Sequence, residues 1–167
     1  MQYQFAPSRR QMAAAFVDKD AAKWHNERDA KGGVLPMHIL IIDGQSGRMG
    51  QLFIERVKAA ALPCEITAIG TNAIATSAML KAGADQGATG ENPVLVACRT
   101  ADIIAGPIGI LAADSLMGEI TPAMAAAVGQ ADAVRILLPV NKCDNLIAGI
   151  SEVSTGAILE DVITKVN

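Results

Sequence analysis

Residues Met37 to Asp43 read Met-His-Ile-Leu-Ile-Ile-Asp, a nearly unbroken apolar run closed by a carboxylate. Gly44-Gln45-Ser46-Gly47-Arg48-Met49-Gly50 follows directly. A run that is apolar on both faces is the pattern of a strand buried inside a parallel sheet. Three glycines spaced G-x-x-G-x-x-G between such a strand and a helix constrain the backbone closely. Gly44 allows a tight turn, Gly47 allows a phosphate to approach the backbone, and Gly50 allows the helix to lie against the strand. The exposed N–H groups and the positive helix end can then hold an anion, with Ser46 adding a hydroxyl and Arg48 a charge. The other reading is a glycine-rich turn that binds nothing. A P-loop is excluded, because no G-K-[ST] is present.

The rest of the chain from Met37 alternates strand and helix patterns. Met49, Leu52, Phe53, Arg56 and Val57 face one side of a helix and Gln51, Glu55 and Lys58 the other, until Leu62-Pro63. Ile66–Gly70 reads as a strand, and Asn72–Ala82 as a helix closed by Gly83. Ala84–Asn92 has no periodicity and reads as a loop. Pro93–Cys98 fits a short helix, with a strand over Val94–Ala97 as the alternative. Asp102–Gly106 reads as a strand. Gly109–Leu116 reads as a helix that Gly118 breaks, and Thr121-Pro122 supplies a cap and first turn for another through Val128. Val134–Val140 and Leu146–Ile150 read as strands, and Gly156–Val166 as a last helix. The alternation predicts an α/β domain with a single doubly wound, mostly parallel sheet of four to five strands, Rossmann-like in type.

Composition divides the chain. Of 167 residues 51% are apolar but only 3% aromatic. Tyr3, Phe5, Phe16 and Trp24 fall within residues 1–36, and Phe53 alone lies beyond them. We therefore expect an arm over 1–36 and a Rossmann-like domain over 37–167. The arm has Pro7-Ser8 as a start signal and Gly32-Gly33 as a stop, with Met12, Phe16 and Trp24 at multiples of four. It reads as a helix docked on the body or a neighbouring subunit, as a disordered segment, or as an extended start outside the domain proper. A nearly ring-free body argues against a stacking platform for single-stranded nucleic acid. The arm carries six Lys/Arg against four Asp/Glu and the body eight against thirteen. An acidic body disfavours a DNA or RNA backbone as partner. Ser8-Arg9-Arg10-Gln11 resembles a twin-arginine signal, but the apolar run after it is too short for one. No run of 18 uncharged apolar residues suggests a membrane span. Cys64, Cys98 and Cys143 form no metal or disulfide spacing, and the odd count suits a reducing cytoplasm. A homodimer, with the arm at its interface, is the expected assembly.

Further polar groups fall where the predicted strands end, the edge at which open α/β sheets bind ligands. Thr71 and Asn72 follow the second strand. A dinucleotide site there usually has Asp or Glu for ribose hydroxyls, which is missing. Thr71 and Asn72 can bond a ribose or base instead, or Asn72 can simply cap the next helix. Gly106-Pro107-Ile108-Gly109 can flank the same ligand or serve as a tight turn. Asn141-Lys142-Cys143-Asp144-Asn145 gathers an amide, an ammonium, a thiol and a carboxylate. Cys143 lacks a histidine base, so a turn is the better reading. Asp85, Glu91 and Asp102 can bind Mg²⁺, but nothing in their spacing requires it, and no metal is expected.

Two resemblances add to this reading. Gly47-Arg48-Met49-Gly50, with its flanking strand and helix, resembles the cofactor loop of dihydrodipicolinate reductase over about 15 residues. That enzyme's histidine-rich substrate motif has no counterpart after His38. A longer resemblance spans most of 37–150. Ile42-Asp43-Gly44-Gln45, Gly70-Thr71-Asn72-Ala73, Ala75–Asp85, Gly87–Asn92, Gly106–Gly109 and Gly118-Glu119-Ile120-Thr121-Pro122-Ala123-Met124 resemble the signature blocks of a small bacterial family of unknown function, similar to Rossmann-type nucleotide-binding domains. The resemblance implies the fold and no reaction. The expectation is a cytoplasmic protein binding a small phosphate-bearing ligand, NAD(P) or another nucleotide, at Gly44–Gly50, Thr71, Asn72 and Gly106–Gly109. The alternatives are a small enzyme on a phosphorylated or carboxylate metabolite, using Lys142 or Asp144 for proton transfer, and an adaptor assembling through its arm.

Overall fold

The structure, a computed structural model, describes residues 37–62 and 64–139. Five strands, β1 (Met37–Asp43), β2 (Cys64–Gly70), β3 (Gln86–Thr89), β4 (Ile103–Pro107) and β5 (Val134–Leu138), form one sheet in the order β3-β2-β1-β4-β5. All four pairings are parallel. Four helices connect them: α1 (Arg48–Ala59), α2 (Ala73–Lys81), α3 (Glu91–Ala97) and α4 (Pro122–Gln130). The predicted arm, Leu146–Ile150, Gly156–Val166 and the Asn141–Asn145 cluster lie outside the described residues.

β1 explains the layering. Ile39 and Ile41 point to one face and pack with Phe53, Ile54 and Val57 of α1 and Met79 of α2. Leu40 and Ile42 point to the other, with Val94 of α3 and Met124, Ala125 and Val128 of α4. A central strand with helices on both sides has no polar face, which is why its sequence does not alternate. Chain order runs outward from β1 to β3, then crosses to β4 and on to β5. The sheet is thus doubly wound, with its topological switch point between β1 and β4, at whose carboxyl ends such sheets take ligands.

Three local expectations change. Gln86–Thr89, expected within a loop, is the edge strand β3. Among the described residues it pairs with β2 alone and is largely exposed, so burial imposes no apolar pattern on it. Pro93 begins no helix. It is the third residue of α3, where its missing N–H still breaks no helical bond. The expected helix over Gly109–Leu116 is instead a 3₁₀ turn, Ile108–Leu111, followed by a loop. In that loop Asp114, Leu116, Met117 and Gly118 all have positive φ, which a right-handed helix forbids. The caps are as expected. Asn72 Oδ1 accepts from Ala75 N at 2.9 Å, and Thr121 Oγ1 from Met124 N at 3.1 Å, with Pro122 next. Arg135 of β5 donates to the carbonyls of Val128, Gly129, Ala131 and Ala133 around the end of α4.

Candidate functional site

The turn after β1 is organised by Asp43, only 4% exposed. Its carboxylate accepts from Gly44 N and Gly50 N, both at 2.8 Å. One side chain therefore ties both ends of the glycine loop and takes up an N–H from the first turn of α1. Burial pushes the Asp43 carboxyl above its ordinary range, against hydrogen bonds from Gly50, Gly44 and Met49, and the nearby Glu119 charge adds to the rise. Gly47 N donates to Gly44 O at 2.8 Å and closes the turn. Gly47 has φ +69°, and a Cβ there would lie 2.6 Å from the Ala75 backbone of α2. A Cβ on Gly50 would collide with Met79 and approach Asp43. Gly47 and Gly50 thus have packing reasons within the protein itself. Gln45, Ser46 and Arg48 are exposed on the outer side.

The group that sequence reasoning missed is Glu119. Its Oε2 accepts from Gln45 N at 2.8 Å, from Thr71 Oγ1, and from Asn72 Nδ2 at 3.2 Å. Asn72 Nδ2 also donates to Gln45 O at 3.1 Å. Donors from the turns after β1 and β2 thus converge on one carboxylate oxygen delivered from 47 to 74 residues away in sequence. Partial burial raises the Glu119 carboxyl, but the hydrogen bonds from Thr71, Gln45 and Asn72 together outweigh it and hold it below its ordinary 4.5. Signals for its role were a carboxylate beside Gly118 and a 29-residue stretch, 103–131, whose charges are Asp114 and Glu119 alone.

Glu119 ends a loop that begins at the turn after β4. Ile110 and Ile120, both fully buried, anchor its two ends. Asp114 N donates to Ile120 O at 2.7 Å, and Ile120 N to Ser115 O at 3.2 Å, which holds the ends together. Ser115 Oγ donates to Gly109 O. Leu116 turns inward, its Cδ1 3.1 Å from where a Gly44 Cβ would be, while Met117 is 92% exposed. Beneath the loop, the β1–β4 pairing stops at Ile41–Ala105, two residues short of both strand ends. Gly106 and Pro107 complete β4, and Ile108 and Gly109 open the 3₁₀ turn. Gly106 lies against the Ile42 carbonyl with no room for a Cβ.

The structure therefore brings Gly44, Gln45, Thr71 and Asn72 together directly, with Gly106–Gly109 on the neighbouring strand end. The acids Asp85, Glu91 and Asp102 go to separate places. Asp85 binds Lys58 Nζ at 2.8 Å and Ile66 N at 2.8 Å. Glu91 accepts from Thr121, and Asp102 from His38 N at the amino edge of the sheet. Among the described residues no cluster of three or more His, Cys, Asp or Glu could hold a metal ion. Burial raises the thiols of Cys64 and Cys98 to about 11, so both stay protonated at neutral pH. Among the described residues no helix is long and apolar enough to cross a membrane.

A family model for a domain of unknown function, DUF3842, matches residues 38–167. The chain belongs to the DUF3842 family. That match begins within β1 and covers the rest of the sheet, the glycine turn and the Glu119 loop. No curated protein and no solved structure matches the chain. The functional reading of this DUF3842 domain therefore rests on its own residues.

Proposed function

We propose that this domain binds a nucleotide, of the NAD(P) or mononucleotide class, across the carboxyl ends of β1, β2 and β4. The observation that carries the reading is the donor set of Gln45 N–H, Thr71 Oγ1 and Asn72 Nδ2, converging on a single anionic oxygen beside the switch point. Backbone and side-chain donors so arranged suit a phosphate oxygen. Exposed Ser46 and Arg48 on the adjoining turn supply a further hydroxyl and a positive charge. Gly106–Gly109, on the neighbouring strand end, would be the further wall, with Gly106 packed on Ile42 and Gly109 beneath Ser115.

The test is thermal stability with NAD⁺, NADP⁺, AMP and ATP added separately. A ligand at 100 times its Kd adds about 2.7 kcal/mol to the native state. The expected result is stabilisation by at least one of them, reduced at least tenfold in affinity by Thr71→Val. Absence of any shift with all four would overturn the reading. Gly47→Val is a poor probe of binding, because its side chain meets the Ala75 backbone and acts through packing.

A further inference from the structure

The donors assigned to the ligand are already engaged by Glu119, and this has a consequence for how a ligand enters. We propose that residues 111–119 form a strap that holds the site closed, with the Glu119 carboxylate standing in for the ligand's anionic oxygen until that oxygen displaces it. The proposal rests on the nucleotide site described above and concerns its regulation.

Two independent observations meet here. The first is chemical. Glu119 Oε2 takes three donors from two other turns, so a phosphate oxygen and this carboxylate compete for one seat. An uncharged ligand group would gain less there than the carboxylate already does, because hydrogen bonds to an ionised acceptor are roughly twice as strong as neutral ones. The seat thus selects an anion.

The second is conformational. Leu116 (φ 54°, ψ 41°) and Met117 (φ 62°, ψ 37°) are consecutive left-handed residues without glycine's freedom, and Asp114 precedes them at φ 63°. Left-handed backbone is disfavoured for residues with a Cβ, and conformations of this kind collect at clamps and switch segments. Backbone hydrogen bonds within the strap, among them Asp114 N to Ile120 O, Gly118 N to Asp114 O and Ile120 N to Ser115 O, hold its shape. The Glu119 carboxylate on its three donors, Leu116 over Gly44, and Ser115 on Gly109 hold it down on the neighbouring turns. Removing the carboxylate from its seat takes away the strap's hydrogen bonds to the turns after β1 and β2. The buried Ile110 and Ile120 at either end keep the motion local. Met117 is 92% exposed in the closed form, so Leu116 is the apolar side chain of the strap that leaves the edge of the core when the strap lifts.

The experiment uses the full chain and two probes, AMP and adenosine, which share the nucleoside and differ in the anion. Wild type is compared with Glu119→Gln, which keeps the side-chain size and removes the charge. Affinity is read by calorimetry and strap motion by hydrogen exchange at the amides of Gln45 and Ser115–Ile120. In Glu119→Gln without ligand, exchange at the strap amides is expected to rise at least tenfold while Ile39–Ile42 stay unchanged. AMP is expected to bind the variant about tenfold more tightly than wild type, with adenosine altered less than twofold. In wild type, AMP should accelerate exchange at Ser115–Ile120 and slow it at Gln45. Equal AMP affinity in the two proteins, or strap exchange indifferent to Glu119→Gln, overturns the strap while leaving the nucleotide site standing. Weaker AMP binding by the variant makes Glu119 a direct ligand contact and also overturns it. If neither probe, nor NAD⁺ or NADP⁺, binds either protein, the nucleotide reading itself fails and the strap with it. Should Glu119→Gln lose its native melting transition, Met117→Gly replaces it. That variant removes left-handed cost from the closed form, and AMP should bind it severalfold more weakly; unchanged binding overturns the strap.

Discussion

The turns after β1 and β4 lie side by side at one sheet edge, both built on glycine, yet they are solved in opposite ways. The first closes on itself. Asp43 holds Gly44 N and Gly50 N, and Gly47 and Gly50 sit where a Cβ would strike α2. The positive φ at Gly47 falls on a residue that bears it without strain. The second runs into a loop where Leu116 and Met117 take left-handed backbone while Gly118 has open space around it. The comparison teaches that glycine in the first turn serves close approach, whereas the second turn keeps conformational energy in residues that could have been glycine.

Substitutions in the two turns should have unequal effects. Gly47→Val combines a left-handed penalty with overpacking against Ala75, and is expected to destabilise by about 3 kcal/mol or more in urea denaturation. Gly118→Val, at φ +83° in open space, should cost only the conformational part, about 1–2 kcal/mol. Equal losses at the two positions would show that packing does not distinguish the turns. Next in size is Asp43→Asn. It puts an amide NH₂ against one of two backbone N–H groups and is expected to cost about 1–3 kcal/mol in the same measurement. Met117→Gly should instead stabilise by about 0.5–1 kcal/mol, the relief of left-handed backbone less the entropy glycine adds to the unfolded chain.

The smallest effect is pH dependence, and its sign differs between the turns. Glu119 and Asp85 have lowered carboxyls, so their contribution is present above the unfolded value and is lost as pH falls through the folded one. Asp43 is raised, so its contribution is present below the unfolded value and declines as pH rises through the folded one. Thermal melts across the acid range should show Glu119→Gln with a shallower acid loss than wild type. Asp43→Asn should show a steeper one, since it removes the opposing group. The same slope in both variants would contradict these assignments.

Much of the architecture was legible because burial on both faces writes itself into composition. Met37–Asp43, the amphipathic α1 and the Asn72 and Thr121-Pro122 caps are each local signals with a local cause. The edge strand β3 was not, because Gln86-Gly87-Ala88-Thr89 buries too little to need a pattern. Gly109–Leu116 predicts a helix from its composition, and nothing local in it reports the left-handed backbone found at Asp114 and Leu116. The turn residues Gly44, Gln45, Thr71 and Asn72 could be named from their places after strands. Glu119 could not be placed beside them, since contacts between segments 47 to 74 residues apart leave no periodic trace in a single sequence.

Arg135 has a bearing on how the domain is assembled in time. Its guanidinium gathers four carbonyls that all lie within seven residues of it along the chain. Closing so short a loop costs little entropy compared with the long excursion that brings β5 beside β4. The end of α4 and the start of β5 can therefore be joined as a corner before the ladder exists. A corner formed in that order would bring Val134–Leu138 to β4 already aimed.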